Sequence, residues 1–312
     1  MNLPIIYDVL IGDCVEQMRN LDDESVNTCV TSPPYFGLRD YGVDGQIGLE
    51  DTPEAYVKRL VEVFREVRRV LRNDGTLWLN LGDSYGSFGG NTYTGFNQRW
   101  NGTGGAGSKQ DATLIGVTGR KVDTGLRVKN LIGIPWRVAF ALQADGWYLR
   151  QDIIWNKPNP MPESVRDRCT KAHEYLFLLS KEPRYYFDIE AIKEPASKGN
   201  AGSNFNTGKT GTHQMGRSSH KMRNDAGTRN RRSVWTVTTK PYKGAHFATF
   251  PPDLIKPCVL AGAPLGGVVL DPFGGSGTTA GVAVKHGRRA ILCELNPDYV
   301  KLIPQRIESI LK

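Results

Sequence analysis

The chain has 312 residues, 40 Lys and Arg against 32 Asp and Glu, and a formal charge of +8 at pH 7. That length buries a full core without disulfides or a structural metal. An apolar content of 39% with 35 Gly and 18 Pro excludes collagen-like and wholly disordered classes, yet implies long irregular segments between ordinary elements.

The first apolar run, Ile5 to Ile11, reads as a strand ending in Gly12-Asp13. A weak helix over Cys14 to Leu21 leads into a second strand, Ser25 to Thr31, which stops at Ser32-Pro33-Pro34-Tyr35 because consecutive prolines continue neither a ladder nor a helix. The clearest helix follows. Asp51 or Thr52 caps it, Pro53 lies in its first turn, and Tyr56, Leu60, Val63, Phe64, Val67, Val70 and Leu71 share one face. Asn73-Asp74-Gly75 ends it, and Thr76 to Leu81 is a strand. Residues 82 to 107 hold 9 Gly in 26 positions and read as the start of a mobile surface loop extending to 125.

Pro135 opens the next helix and Gly146 closes it. Trp147 to Trp155 and Tyr175 to Leu179 are strand-like, separated by the turn Asn156-Lys157-Pro158-Asn159-Pro160. Residues 193 to 243 then carry 11 Lys and Arg against Glu194 and Asp225, so this segment holds a local charge of +9 and the rest of the chain about −1. A helix from Pro251 or Pro252 to Ala261, a strand Val268 to Asp271, a glycine-rich turn, and a helix running to His286 come next. A strand Arg289 to Cys293 ending at Glu294 precedes a last helix from Asn296-Pro297 that presents Val300, Ile303, Ile307 and Ile310. Strands alternating with helices predict a mostly parallel sheet covered on both sides.

Five scattered cysteines (Cys14, Cys29, Cys169, Cys258 and Cys293) form no CxxC or Cys/His cluster, which argues against a zinc site or disulfide scaffold. No stretch reaches the roughly 18 apolar residues of a membrane span, and no basic leader precedes an apolar run. The expectation is a reduced, soluble, cytoplasmic protein without a membrane partner.

Two loops carry the chemistry. Asp271 ends a strand and is followed by Pro272-Phe273-Gly274-Gly275-Ser276-Gly277-Thr278-Thr279, whose glycines let backbone N–H groups approach a ligand. The absence of GxxxxGK[ST] disfavours ATPase activity. Gly275 to Ala280 satisfies GxGxxA, and Glu294 follows Asp271 by 23 positions, so a dinucleotide remains an alternative; a solvated turn with Asp271 capping the helix is the bland one. A carboxylate at the strand end suits a cationic amine better than a pyrophosphate, which favours the methionine amino group of S-adenosyl-L-methionine, with Glu294 on its ribose. In the second loop, Ser32 and the Pro33 carbonyl offer acceptors beside the flat face of Tyr35, a set able to hold an exocyclic amine of a nucleobase. Methylation at cytosine carbon 5 would need a nucleophilic Cys, and Cys258 in Pro257-Cys258 reads as packing.

Thr31 to Tyr35 together with Asp271 to Thr279 resembles the amino-methylating DNA methyltransferases, the cytosine-N4 and adenine-N6 group, in the permuted β-type order with the catalytic motif first. The likeness covers nearly all the chain outside the basic segment and the Gly-rich loop. It implies an α/β fold: a Rossmann-like, circularly permuted methyltransferase sheet with helices on both faces. Residues 1–192 would be its catalytic part, including the loop 82–125; 193–243 a basic target-recognition segment; and 244–312 the cofactor-binding part. By this resemblance Ser32, Pro33, Pro34 and Tyr35 bind a flipped base, and Asp13 accepts from the adenine amine of adenosylmethionine. Phe250, Asp271, Pro272, Phe273, Gly275, Ser276, Gly277 and Thr278 line the cofactor path, with Glu294 on the ribose. Phe250 opens Phe250-Pro251-Pro252-Asp253-Leu254-Ile255, and Ile154-Trp155-Asn156-Lys157-Pro158 borders the target-base pocket, with His173-Glu174-Tyr175 beginning the strand beyond it.

Lys157 and the cations Arg217, Lys221, Arg223, Arg229, Arg231 and Arg232 are expected on DNA, where phosphate neutralisation and guanine edges use such groups. Ser at the head of the tetrad favours cytosine-N4 over adenine-N6. The expected reaction is site-specific methyl transfer to duplex DNA by base flipping and direct attack, leaving S-adenosyl-L-homocysteine and needing no metal. Alternatives are amino methylation of RNA or of a protein amide, and a DNA-binding module with a degenerate cofactor pocket. A prokaryotic or phage-encoded setting fits, in a restriction-modification system with a separate endonuclease or alone, and a homodimer is compatible with it.

Overall fold

Alternation along each strand decides which layer its side chains meet, and the alternation here is two-sided. The computed structural model describes residues 7–86, 125–196, 227–239 and 250–312. In the first half lie β1 (Tyr7–Ile11), α1 (Cys14–Met18), β2 (Val26–Thr31), α2 (Pro53–Val70), β3 (Leu71–Leu81), α3 (Ile134–Ala144) and β4 (Tyr148–Asn156). Then come β5 (His173–Ser180), the short β6 (Glu194–Pro195) and β7 (Thr228–Arg229), and β8 (Val234–Thr236). The C-terminal part supplies α4 (Pro252–Gly262), β9 (Val268–Asp271), α5 (Thr278–Lys285), β10 (Arg289–Glu294), α6 (Pro297–Val300) and α7 (Ile303–Leu311).

Eight strands form one sheet in the order β1-β10-β9-β2-β3-β5-β4-β8, and β6 and β7 pair separately. From β1 to β3 every neighbour is parallel. β5 runs antiparallel to both β3 and β4, while β8 is parallel to β4, so the sheet is mostly parallel, as the alternation of strands and helices predicts, with β5 as its one reversed strand. Cys29, Leu77, Leu79, Phe177, Leu179, Leu270 and Cys293 point to one face, under α1, α2 and α3. Their neighbours Val30, Trp78, Leu176, Leu178, Val269 and Leu292 point to the other, under α4, α5 and α7. Both faces of the central strands are therefore core, which is why these strands read as continuous apolar runs.

Thr52 caps α2, its Oγ1 accepting from Ala55 N at 3.1 Å. The helix ends at Val70, earlier than Asn73-Asp74-Gly75, because Leu71 is already extended (φ −68°, ψ 137°) and starts β3. The register of β2 against β3 shifts between Val26 and Thr28, which accommodates those three residues as an irregular strand start. The predicted terminal helix is broken into α6 and α7, since Pro304, in the first turn of α7, has no N–H to continue a single ladder. A strand the sequence reading omitted, β8, forms the sheet edge inside the basic segment; the alternation Val234-Trp235-Thr236-Val237, with Trp235 and Val237 buried, was its signal. Val234–Thr236, within the basic segment, thus belong to the main sheet.

α5 packs on α7 at close range. Gly277, the residue before α5, has φ +88°, and a Cβ there would stand 2.8 Å from Ile303 Cγ2. Gly277→Ala is expected to destabilise the fold by about 1–3 kcal/mol, the cost of a left-handed non-glycine residue. Urea unfolding checks it, and a midpoint equal to wild type would refute the packing argument.

Candidate active site

Parallel pairing sends the carboxyl ends of β1, β10, β9 and β2 to one edge of the sheet. Ile11 lies opposite Glu294, Leu292 opposite Asp271, and Cys29 opposite Leu270. Because β5 is antiparallel, its first residues reach that same edge, with Tyr175 opposite both Leu81 and Ile154. The loops after Thr31 and Asp271, 240 residues apart in sequence, are joined directly: Thr31 Oγ1 donates to Asp271 Oδ1 at 2.6 Å.

Asp271 is a buried hub. Thr279 Oγ1 donates to its Oδ2 at 2.6 Å and Phe273 N to its Oδ1 at 3.0 Å. Burial pushes this carboxyl above the ordinary range, partly offset by the bonds from Thr279, Thr31 and Phe273 N. Its charge does not face open solvent, as a simple ligand-facing carboxylate would; it ties the catalytic and glycine-rich loops together, and its four lone-pair sites leave one acceptor position beyond those three bonds. Glu294 is held similarly, Oε2 accepting from Gly275 N at 2.7 Å and Oε1 from Asn296 N at 2.8 Å. Burial raises it too, against the two backbone bonds. Gly12 N donates to Glu294 O at 2.9 Å, which sets Asp13 beside it.

Asp13 was expected to face an adenine amine. Its Oδ1 caps α1 through Val15 N (2.9 Å) and Glu16 N (3.1 Å), and its Oδ2 pairs with Arg59 at 3.0 Å. Structural duty thus takes three of its lone pairs and leaves one on Oδ2. Within the glycine-rich turn, Gly275 and Gly277 have positive φ, and Gly277 N closes the turn on Gly274 O at 2.9 Å. Ser276 Oγ is buried and unpartnered among the described residues. A buried hydroxyl without a partner is costly, so this orphan atom, beside backbone free of Cβ atoms, fits a polar ligand such as adenosylmethionine. Pro272 is buried, and Phe273 is half-buried against the first core layer. Phe250, half-buried, packs on the opposite layer, and the Thr278 hydroxyl accepts from Arg306 Nε of α7 at 3.2 Å.

The Ser32 to Tyr35 loop is rigid for reasons beyond its prolines. Tyr56 OH donates to Pro34 O at 2.8 Å, fixing the turn onto α2. Tyr35 OH donates to Glu174 Oε2 at 2.7 Å and lies 3.3 Å from Asn80 Oδ1. Burial and the Glu174 charge push the phenol well above its usual range, while a hydrogen bond with Ser32 acts the other way. Tyr35's ring rests on Gly82, where a Cβ would fall 2.4 Å from Cε2. Gly82 and Asn80 were missed as site residues, although a polar residue inside Leu77-Trp78-Leu79-Asn80-Leu81 was a visible signal. Thr31 and Thr279, the two donors to Asp271, also went unassigned.

Cys258 is fully buried in α4, its Sγ 3.8 Å from Leu254 O, and burial pushes the thiol far up, so no ready thiolate nucleophile exists there. Among the described residues, no group of three or more His, Cys, Asp or Glu side chains is placed to hold a metal ion.

The residues expected on DNA that lie among the described residues have partners within the protein. Lys157 is not an open cation: its Nζ pairs with Glu174 Oε1, and the two side chains are only 17% and 16% exposed. Arg229 and Arg232 both bind Glu194 Oε1, at 2.8 and 2.7 Å, because that carboxylate lies among many cations and collects two. Arg231 stacks over Trp235 at 4.6 Å, and burial lowers its affinity for a proton. Arg217, Lys221 and Arg223 lie outside the described residues, as does most of the Gly-rich loop.

Known proteins share this arrangement. The family model described as DNA methylase, of the N6/N4 amino-methylating type, matches residues 26–305. Type II methyltransferase M.SmaI of Serratia marcescens is 50% identical over 301 residues, covering 96% of this chain and 90% of its own length. Type II methyltransferase M.Cfr9I of Citrobacter freundii is 48% identical, with 96% and 86% covered. Among solved structures, PvuII DNA methyltransferase (cytosine-N4-specific) superposes with a TM-score of 0.64 at 18% identity, covering 98% of this chain and 90% of that one. A DNA modification methylase from Thermus thermophilus, TTHA0409, complexed with S-adenosyl-L-methionine, gives 0.56 at 22% identity, covering 98% and 96%. The permuted sheet, with its two loops meeting at one edge, belongs with these sequences: the chain is a member of the N6/N4 DNA methylase family, the amino-methylating DNA methyltransferases that use adenosylmethionine.

Proposed function

We propose that this member methylates the N4 amine of cytosine in duplex DNA, with Ser32, the Pro33 carbonyl, Pro34 and Tyr35 holding the flipped base. The single observation that carries the reading is the Thr31–Asp271 bond, which sets a Ser-headed tetrad against the glycine-rich loop. Adenosylmethionine, when bound, supplies an electrophilic methyl carbon on a sulfonium. Asp271, Ser276, Glu294 and the remaining acceptor on Asp13 are the groups suited to holding it.

An exocyclic amine is a poor nucleophile, because its lone pair is delocalised into the ring. Acceptors at Ser32 and Pro33, aimed at its two N–H bonds, favour a more tetrahedral nitrogen whose lone pair faces the methyl carbon. The N–C bond forms as the C–S bond breaks, and the surplus amine proton leaves through an acceptor of the loop to water. Orientation and electrostatics do this work, without a covalent intermediate. Tyr35 contributes a stacking face.

Adenine-N6 is the second reading, since Ser and the two prolines would accept from that amine as well. Target recognition falls to the basic segment 193–243 in this proposal. The type II names of the relatives support a place in a restriction-modification system. Incubation with labelled adenosylmethionine and mixed-sequence duplex DNA, followed by nucleoside analysis, is expected to give N4-methylcytosine. N6-methyladenine would overturn the base assignment, and label in RNA or protein alone would overturn the substrate.

A further inference from the structure

Glu174 has no role in the chemistry above, yet it joins three side chains of the site at that end of the sheet. Its Oε2 accepts from Tyr35 OH at 2.7 Å and from Asn80 Nδ2 at 3.3 Å. The other oxygen, Oε1, takes Lys157 Nζ, and Lys157 lies over the Trp155 ring at 4.2 Å. We propose that Glu174, held by Lys157, is a positioning residue for methyl transfer, locking the Tyr35 phenol so that its ring stands as a fixed face for the target base. The proposal rests on the reading of Ser32 to Tyr35 as the base-holding loop.

Topology creates the contact. β5 enters the sheet antiparallel at the edge where β2, β9 and β10 leave it, so its second residue faces a loop 139 positions earlier in the chain. Burying an ion pair rarely adds stability over an apolar pair of similar volume, and both members here are mostly covered. Lys157 and Glu174 therefore need a reason other than fold strength, and the phenol supplies one. Gly82 limits the ring from one side and the bond to Pro34 O fixes its backbone neighbour. The hydroxyl end, which also meets Ser32 and Asn80, has its charged partner in the Glu174 carboxylate at 2.7 Å. The cation–π contact with Trp155 fixes the lysine in turn, so the brace runs from a buried indole to the site without passing through solvent.

The test is a double-mutant cycle on the full-length protein, read as single-turnover methyl transfer at saturating duplex and cofactor. Tyr35→Phe keeps the stacking ring and removes the held hydroxyl; Glu174→Gln removes the charge that Lys157 and Tyr35 share. Each is expected to slow transfer about tenfold, in keeping with the cost of a small misplacement. Affinities for duplex and adenosylmethionine should stay within about twofold, since a positioning residue acts on the transfer step. The double variant should be no slower than Tyr35→Phe alone. Full transfer by Glu174→Gln, or losses that multiply in the double, would overturn the brace. Should Glu174→Gln fail to fold, Lys157→Met gives a second reading: slower transfer at unchanged cofactor affinity supports the brace, and wild-type transfer refutes it. Wild-type activity of Ser32→Ala and Tyr35→Ala would instead sink the underlying loop assignment.

Discussion

Replacing Ser32 by Ala is expected to lower single-turnover methyl transfer by roughly 10²–10³-fold, the range seen when one preorganised hydrogen-bonding group is removed from a site. Binding of duplex and of adenosylmethionine should be retained. The substitution is clean because the backbone around Ser32 does not depend on its hydroxyl. Thr31 before it is the last residue of β2 and is bonded to Asp271. Pro33 is buried, and Pro34 is held through its carbonyl by Tyr56. The variant also loses the hydrogen bond between Ser32 and the Tyr35 phenol, but Glu174 still holds that phenol, so the larger part of its effect belongs to the reaction. Rapid-quench transfer assays beside fluorescence titrations with duplex separate the two quantities. Transfer within about threefold of wild type would show that the acceptor set lies elsewhere, since a lost catalytic contact costs far more.

Much of this site was legible because its signals are local. Two prolines after Thr31 have to end a strand, and a Gly-rich turn after Asp271 has to start a helix, whatever the rest of the chain does. Helix α2 was equally plain from Tyr56, Leu60, Val63, Phe64 and Val67, all of which are buried. What sequence could not show was pairing. Asp271 looked like a free strand-end carboxylate because its partners Thr31 and Thr279 are weak signals, common in any strand or helix start. The pairing of Lys157 with Glu174, 17 positions later in β5, left no mark on the residues around either. β8 was hidden by composition: three sheet residues inside a basic, Gly-rich stretch shift no average. The antiparallel entry of β5 was invisible for a related reason, since a strand's direction depends on its connections and leaves no mark on its residues.

The bond between Thr31 and Asp271 is the contact whose loss should be felt most widely. Both residues are nearly sealed from solvent, so Thr31→Val leaves Asp271 Oδ1 with Phe273 N as its remaining donor. An under-satisfied buried acceptor costs about 1–3 kcal/mol, more when charged, and the sign of the pH dependence follows. Asp271 already sits above its ordinary value of 3.8, because burial outweighs the bonds from Thr279, Thr31 and Phe273 N. A carboxyl raised in the folded state contributes stability below its unfolded value and loses it as pH rises through the folded one. Removing Thr31's bond raises Asp271 further, so the deficit of Thr31→Val should widen as pH climbs through that raised value and narrow in acid, where the carboxyl carries its proton in both proteins. Thermal melts in mildly acidic buffer and at about pH 8 would show this. Thr31→Ser, which keeps the hydroxyl, should recover most of the loss. Methyl transfer should fall with it, because the bond is the direct tie between the loop expected to hold the base and the loop expected to hold the cofactor. A displacement of the order of 1 Å between reacting groups costs roughly 10²-fold in rate. Equal melting of Thr31→Val and wild type at about pH 8, where the carboxyl is most ionised, would mean that the two loops are held together by packing alone.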